Sequence, residues 1–390
     1  MRVKPRVLMV TGAYFPELSG GGLQARAVVN ALRDAAEFTV LTTSTDAALP
    51  AFTSDDGIPI RRVFVEPGRR SSEWIAAWRI AWTFVAWSRR FDVVNLHGFS
   101  RKAILLSMLS RLLRKRFVLT LQTGGQDEPA AADALGAAAG RAFRSADAYV
   151  SVSAGLSRAY LDAGLPAVRL RQIANAVDVD RFAPAPDTGR AALRAELGLP
   201  PDAPVILFVG YFSRDKRPDL LYRAWLQTAR QPSTLVFVGA TRPTYKEVDA
   251  GLADEIRRSA ARDGLTDRII FVESTRTIER HFRAADLYVM TSIREGLPIA
   301  LLEAMSSGIA CVASRLPGST DTMIDDGVSG LLVGPDDERG FADAMSRLLG
   351  DPVMRQRMGA AARLAIVERF SIQRTAASWL SVYQGVSLPQ

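Results

Sequence analysis

The chain has 390 residues, 48% hydrophobic and 23% charged, which suits two ordinary domains and excludes disorder as its dominant state. A single cysteine, Cys311, excludes an internal disulfide framework and fits a reducing compartment, and two histidines, His97 and His281, are too few for a structural zinc site. No run of 18 uncharged apolar residues occurs, since Arg79 interrupts the nearest one, and the early strand-like run 7–10 leaves no room for a cleaved leader, so a cytoplasmic protein without a membrane span is expected.

Strand-like runs alternate with helix-like ones, the pattern of two α/β units with parallel sheets. In the first unit strands are expected at 6–10, 38–42, 60–65, 93–96, 117–121, 148–152 and 169–173. Helices are expected at 23–35, 72–89, 101–113, 131–143 and 154–163. Five prolines within 183–204 mark a boundary, with a short helix at 189–197 inside it. The second unit has strands at 205–209, 234–238, 269–272, 287–290, 310–313 and 330–333. Its helices are expected at 218–230, 246–262, 278–283, 297–307 and 319–324, with a helical series from Glu338 on. The domains are therefore read as 1–185 and 186–370, with a last helix within 371–390 packing back toward the first domain. Doubly wound sheets bind ligands at the carboxyl ends of their strands, so a cleft between the two is the expected site.

The net charge of +8 is unevenly placed. Residues 1–185 hold 24 Lys and Arg against 16 Asp and Glu, whereas 186–390 hold 25 of each. Within 61–116 there are 13 bases and only three acids, Glu66, Glu73 and Asp92. A polyanionic partner for one half follows, either nucleic acid or an anionic membrane, unless this is simply a solvated basic face. Trp74, Trp78 and Trp82 recur every four residues beside Arg79, Arg89 and Arg90, with Trp87 nearby. That spacing puts the three on one helix face, which is either a core face or one suited to a lipid headgroup boundary.

The stretch Ser292 to Gly308 reads S-I-R-E-G-L-P-I-A-L-L-E-A-M-S-S-G. A strand ends before it and a helix starts near Leu297, with Pro298 in the first turn where a missing N–H does no harm. Gly296 lets a phosphate approach the backbone, and the helix start offers free N–H groups. Glu295 lies at the helix mouth and Glu303 about two turns further on, so the two carboxylates can hold two hydroxyl-bearing parts of one long ligand. Paired glutamates at a helix end also occur in purely structural settings.

This E-x7-E block resembles the signature of the retaining GT-B glycosyltransferases of family 4. Other pieces match in order: G-G-G at Gly20 to Gly22, N-A-V-D at Asn175 to Asp178, V-G-x5-K at Val209 to Lys216, and G-L-L-V-G-P-D-D at Gly330 to Asp337. The resemblance implies an α/β GT-B fold of two Rossmann-like doubly wound domains facing across a cleft. It implies a nucleotide-sugar donor, with Glu303 on the ribose, Glu295 on the transferred sugar, and Gly296 and Leu297 at the diphosphate. Lys216 would stabilise the leaving phosphate, and Gly21 and Gly22 would approach it from the first domain.

Two positions depart from the family pattern. Tyr211 follows the V-G glycine where an arginine is usual, leaving Arg214 as a candidate second cation. Gln122, in T-L-Q-T, stands where a histidine is usual; it can donate to a sugar hydroxyl but cannot titrate. His97, in N-L-H-G, matches a family position nearer the acceptor. Asp178-Val179-Asp180 spells the D-x-D metal motif of the other large glycosyltransferase fold, but within N-A-V-D-V-D-R-F the resemblance makes it structural. No cofactor and no metal are therefore expected.

The expected activity is transfer of a sugar, with retention, to a hydroxyl of a lipid-linked glycan or nascent surface polysaccharide. The first domain would hold that acceptor at the inner membrane face, without nucleic acid. An epimerase or phosphorylase on the same fold, or a non-catalytic sugar-binding protein, is the alternative. A dinucleotide-dependent oxidoreductase is disfavoured, because Gly20 to Gly22 comes too late after the first strand and lacks G-x-G-x-x-G spacing.

Overall fold

The computed structural model describes residues 4–17, 19–66, 68–185, 189–228, 232–242 and 248–385. They form two compact units, Met1–Ala176 with Ile372–Gln390, and Val177–Ser371. Both are α/β with largely parallel sheets, the doubly wound, Rossmann-like form that the resemblance implies.

Unit 1 runs β1 (Arg6–Thr11), α1 (Gly20–Leu32), β2 (Glu37–Ser44), β3 (Phe52–Asp55), β4 (Ile58–Phe64), α2 (Arg70–Ala86) and β5 (Val93–His97). It continues with α3 (Lys102–Leu112), β6 (Arg116–Leu121), α4 (Pro129–Ala134), α5 (Ala137–Arg144), β7 (Ala148–Ser151), α6 (Ala154–Asp162) and β8 (Leu170–Gln172). The sheet order is β3-β4-β2-β1-β5-β6-β7-β8, so the chain reverses direction across the sheet between β1 and β5. That switch opens a crevice at the carboxyl ends of the strands.

Three details differ from the sequence reading. β3, which was not expected, pairs antiparallel with β4 through Asp56 and Gly57, both with positive φ (49° and 85°), the backbone that a two-residue hairpin needs. The helix expected at 131–143 is two helices, because Gly136 adopts φ 110° between α4 and α5. The strand expected at 169–173 shrinks to β8, its first residue belonging to a 3-10 turn at Ala167–Arg169.

Unit 2 contains α7 (Arg190–Glu196), β9 (Val205–Val209), α8 (Pro218–Gln227), β10 (Thr234–Val238), α9 (Ala250–Arg262), β11 (Ile269–Val272) and α10 (Ile278–Ala284). There follow β12 (Leu287–Met290), α11 (Ile299–Ser306), β13 (Ala310–Ser314), β14 (Leu331–Val333), α12 (Glu338–Gly350) and α13 (Pro352–Arg369). Its sheet, β11-β10-β9-β12-β13-β14, is parallel throughout. Segment 319–324 is not an α-helix but a single 3-10 turn at Thr320–Thr322. The expected boundary at Pro186, the helix end at Arg230 and the helix start at Lys246 lie outside the described residues.

Residues 177–185 belong to unit 2: Val177 bridges Ser371, and Arg363 donates to the carbonyls of Val179 and Phe182 at 2.7 and 3.1 Å. The last helix, α14 (Ile372–Gln384), belongs to unit 1. Its Trp379, Val382 and Tyr383 join Val28, Val29, Phe38 and Val118 in one buried cluster, and Tyr383 packs edge-on against Phe38 at 6.0 Å. Removing a buried aromatic leaves a cavity that costs roughly 3–5 kcal/mol. Trp379→Ala is accordingly expected to lower the urea midpoint of the unit 1 transition while leaving that of unit 2 in place, read by far-ultraviolet circular dichroism and by limited proteolysis of each unit.

Candidate active site

In unit 2 the carboxyl ends of β9 and β12, adjacent strands, carry two loops that meet. Lys216 Nζ and Glu295 Oε1 form an ion pair at 2.5 Å with both side chains largely buried. Burial acts to lower the Lys216 pKa, but Glu295, with Tyr211 and Asp215, outweighs it and the net shift is upward, so the ammonium stays charged. The loops are also stitched through backbone: Ile293 N donates to Asp215 O at 2.8 Å, and Thr291 Oγ1 to the carbonyls of Lys216 and Arg217 at 2.9 and 2.8 Å. Gly239, at the end of β10, lies so close to Gly210 that a Cβ would stand 2.0 Å from Gly210 O, so a side chain is excluded there.

After Glu295 the chain passes Gly296 and Leu297 into α11, whose N-cap is Pro298 and which no side chain caps. Its N-terminal dipole and N–H groups are thus not taken up by a capping side chain, which favours an anion there. Glu303 lies on α11, partly buried, with no side-chain hydrogen bond among the described residues. Burial raises its carboxyl pKa to about 8, although Arg181 pulls it down. Ser292 Oγ is buried without a hydrogen-bond partner among the described residues, just after β12. Arg214 does not join this group; it is 86% exposed and pairs with Asp249 at 3.2 Å.

Unit 1 holds the remaining candidates. Gln122 Nε2 lies 3.3 Å from His97 Nδ1, and Asn95 Nδ2 lies 3.3 Å from His97 Nε2. Trp379 stacks on the imidazole with centroids 5.6 Å apart. Burial drives the His97 pKa down to about 3, so the ring is neutral at physiological pH. Gly21 and Gly22 form the first turn of α1, where Ser19 Oγ accepts from Gly22 N at 3.1 Å. A Cβ on Gly22 would stand 2.2 Å from Ala13 O, whereas one on Gly21 would meet nothing, so only Gly22 is sterically required.

Two contributors escape a sequence reading. Asp127 accepts from the N–H groups of Phe99, Gln122 and Thr123 at 2.6, 2.7 and 2.9 Å, fixing the loops that carry His97 and Gln122. Burial raises its pKa to about 6 against those hydrogen bonds. Asn95 donates to Tyr383 Oη at 2.8 Å and accepts from Thr120 Oγ1 at 2.8 Å. The i, i+2 spacing of Asn95 and His97 is a visible signal for one sheet face; the arrival of Tyr383 has none. Asp178 Oδ1 accepts from Asp180 N and Arg181 N at 3.1 and 3.0 Å, so its carboxylate caps a turn. Among the described residues no three His, Cys, Asp or Glu side chains gather as a metal-ligand set.

Two family comparisons cover most of the chain: "Glycosyl transferases group 1" matches residues 189–365 and "Glycosyl transferase 4-like domain" residues 19–176. The chain belongs to the group 1 glycosyl transferases, with the GT-B fold. It is 35% identical over 222 residues to a D-inositol 3-phosphate glycosyltransferase of Xylanimonas cellulosilytica, covering 55% of this chain and 51% of that one. The corresponding protein of Kineococcus radiotolerans is 36% identical over 222 residues, covering 53% and 50%. The chain thus spans about half the length of the curated relatives it matches. Among solved structures it is similar to sucrose-phosphate synthase from Thermosynechococcus elongatus, with TM-score 0.80 and 22% identity over 98% of this chain and 99% of that one. It is also similar to Anabaena HepE in complex with UDP-glucose, with TM-score 0.79 and 18% identity over 97% and 100%.

The Glu303 carboxyl makes a prediction about pH. Its folded pKa lies above the unfolded one, so the folded state binds the extra proton; its contribution is fully present below the unfolded value of about 4.5 and is lost as pH rises through about 8. Glu303→Gln keeps the shape without that titration. Its Tm relative to wild type is expected to climb by at least about 2 °C between pH 5.5 and pH 8.5 in differential scanning fluorimetry. A constant gap would mean that Glu303 is already ionised at the lower pH.

Proposed function

We propose that the protein transfers a sugar from a nucleoside diphosphate sugar to an acceptor hydroxyl, with retention of anomeric configuration and without a metal. The observation that carries this is the largely buried Lys216–Glu295 pair beside the start of α11, which has no side-chain cap among the described residues, with Glu303 on the same helix making no side-chain hydrogen bond among them. In this reading Glu303 accepts from the ribose hydroxyls, and the N–H groups at Gly296, Leu297 and the first turn of α11 meet the diphosphate. Lys216 turns its charge toward that diphosphate, which frees Glu295 to accept from hydroxyls of the transferred sugar. The bond from the anomeric carbon to the phosphate oxygen breaks with its electron pair going to that oxygen, where Lys216 and the helix N-terminus stabilise it. The acceptor oxygen bonds the anomeric carbon on the same face, and its proton passes to the departing phosphate oxygen.

Gln122 hydrogen-bonds the donor sugar, Gly21 and Gly22 lie against the phosphates, and the neutral His97 serves the acceptor side. Arg214 supplies the second cation where Tyr211 replaces the usual arginine, which requires it to leave Asp249. Lys216 and α11 provide the charge that a divalent ion provides elsewhere, and Asp178 is already engaged in its turn.

The acceptor is proposed to be a lipid-linked or growing glycan at an anionic membrane face, supported by the basic bias of 61–116. A second reading, a small phosphorylated polyol of the kind that the curated relatives' names state, is favoured by Lys102. That lysine, the first residue of α3, donates to Thr43 Oγ1 at 3.1 Å and has no carboxylate partner among the described residues; burial lowers its pKa to about 8.

Glu295→Ala and Glu295→Gln are expected to abolish transfer while nucleoside diphosphate still binds, and Glu303→Ala is expected to weaken that binding roughly ten-fold, the worth of a hydrogen bond to the ribose. Calorimetry with UDP, GDP and ADP and product analysis with and without acceptor read both. Isomerised donor, or sugar phosphate formed from inorganic phosphate, would instead indicate an epimerase or phosphorylase, and binding without turnover a sugar-binding protein. Activity is expected to survive excess EDTA; a loss restored by magnesium would overturn the metal-free reading.

A further inference from the structure

Helix α2 is apolar on two opposite sides, and only one of them is covered. Ala76, Ile80, Thr83 and Phe84 are buried in unit 1. Trp74, Trp78 and Trp82 point away from the core and are 78%, 64% and 65% exposed. At about 100° per residue these three fall within roughly 40° of the line through Trp78, with exposed Val85 on the same arc and exposed Ile75 just beyond its edge. Trp78 and Trp82 stack on each other, centroids 6.2 Å apart and planes at 15°, and make no other ring contact among the described residues. Three neighbouring tryptophans facing water are not explained by folding, since an exposed aromatic buries little area in its own domain.

The borders of this ridge are basic. Arg70 and Arg79 flank it on either side of the helix, and Arg89 and Arg90 follow at its end, all exposed and without an ion pair among the described residues. Arg69 is paired with Glu66, and Glu73 is the acid on the helix itself. The adjacent helix α3 exposes Met108 and Leu112, one turn apart, with Arg111 and Arg114 also exposed. No helix among the described residues is long and apolar enough to cross a membrane.

We propose that the α2 ridge is an interfacial insertion surface for an anionic bilayer, with Trp74, Trp78 and Trp82 entering the headgroup boundary and Arg70, Arg79, Arg89 and Arg90 meeting lipid phosphates. Charge complementarity selects this occupant. A protein-protein patch is depleted of charge at its core and bordered by mixed polar groups, whereas this one is edged by unpaired cations of a single sign. Indole rings beside basic side chains suit the wet edge of a bilayer, where the ring is apolar and its N–H finds water. The surface rests on the reading of a membrane-borne acceptor for its purpose, but lipid binding is measured without acceptor or donor, so the two fail separately.

The test uses the full chain and vesicles of phosphatidylcholine alone or with 30% phosphatidylglycerol. Sedimentation is expected with the anionic vesicles and not with the neutral ones. Arg70→Glu, Arg79→Glu, Arg89→Glu and Arg90→Glu combined should weaken it at least ten-fold. Binding that survives 0.5 M NaCl should disappear in Trp74→Ser, Trp78→Ser, Trp82→Ser, while calorimetric affinity for nucleoside diphosphate is unchanged in both variants. Brominated lipid should quench the wild-type tryptophan fluorescence, and much less that of the triple variant. Absence of sedimentation, or quenching equal in wild type and triple variant, overturns the proposal. So does a lipid-free dimer in light scattering that the triple variant abolishes, which would assign the ridge to a second copy of the chain.

Discussion

Unit 2 depends on one desolvated ion pair. The Lys216 and Glu295 side chains keep only 22% and 11% of their surface in contact with solvent, so each charge is held mainly by the other, 2.5 Å away. Removing one member of such a pair costs roughly 3–5 kcal/mol because the other charge is left uncompensated. The pair therefore fixes the relative position of the loops after β9 and β12, and the bonds from Ile293 to Asp215 and from Thr291 to Lys216 and Arg217 keep the backbone in register with it. An ammonium held in this way is pre-oriented for an anion, which is the role that the proposed reading gives it toward a diphosphate at α11.

Unit 1 solves a different problem, that of holding an uncharged imidazole still. His97 touches Asn95, Gln122 and Trp379, and Asn95 is in turn bonded to Thr120 and Tyr383. Two of these partners come from α14, at the far end of the sequence. A satisfied buried network specifies one arrangement because each member would be costly to leave unpaired. The same logic applies to Asp127, which gathers three backbone N–H groups from two loops and so ties Phe99 to Gln122.

The alternation of strands and helices was legible because buried parallel strands are short apolar runs and their helices are longer and amphipathic. Lys216, Glu295 and Glu303 were also legible as candidates, through the E-x7-E block and V-G-x5-K, although spacing says nothing of the ion pair that the first two form. β3 was missed although Asp56-Gly57 is a hairpin signal, since Phe52–Asp55 alternates too weakly to read as a strand. Gly136 breaks a helix that composition alone would continue. Asp127 and Tyr383 were invisible because their roles depend on residues that only the fold brings near. The tryptophans of α2 could be placed on one face but not assigned to core or solvent, because the opposite face, with Ala76, Ile80 and Phe84, is apolar too.

The two halves of the sequence thus use charge in different regimes. Lys216 acts over a few ångströms inside a desolvated site, where added salt has little reach. The arginines along α2 and its end act across solvent, where the field fades beyond roughly 8 Å at physiological ionic strength. On the proposed reading a diphosphate, which brings its charge to one point, is met by the buried Lys216, the start of α11 and Arg214. A surface that presents charge as a sheet is met by many exposed cations, each contributing little, and their sum becomes selective only when an apolar ridge converts loose attraction into a defined depth. On the two proposals taken together, that division matches a first half carrying the whole net charge and a neutral second half that holds the buried pair.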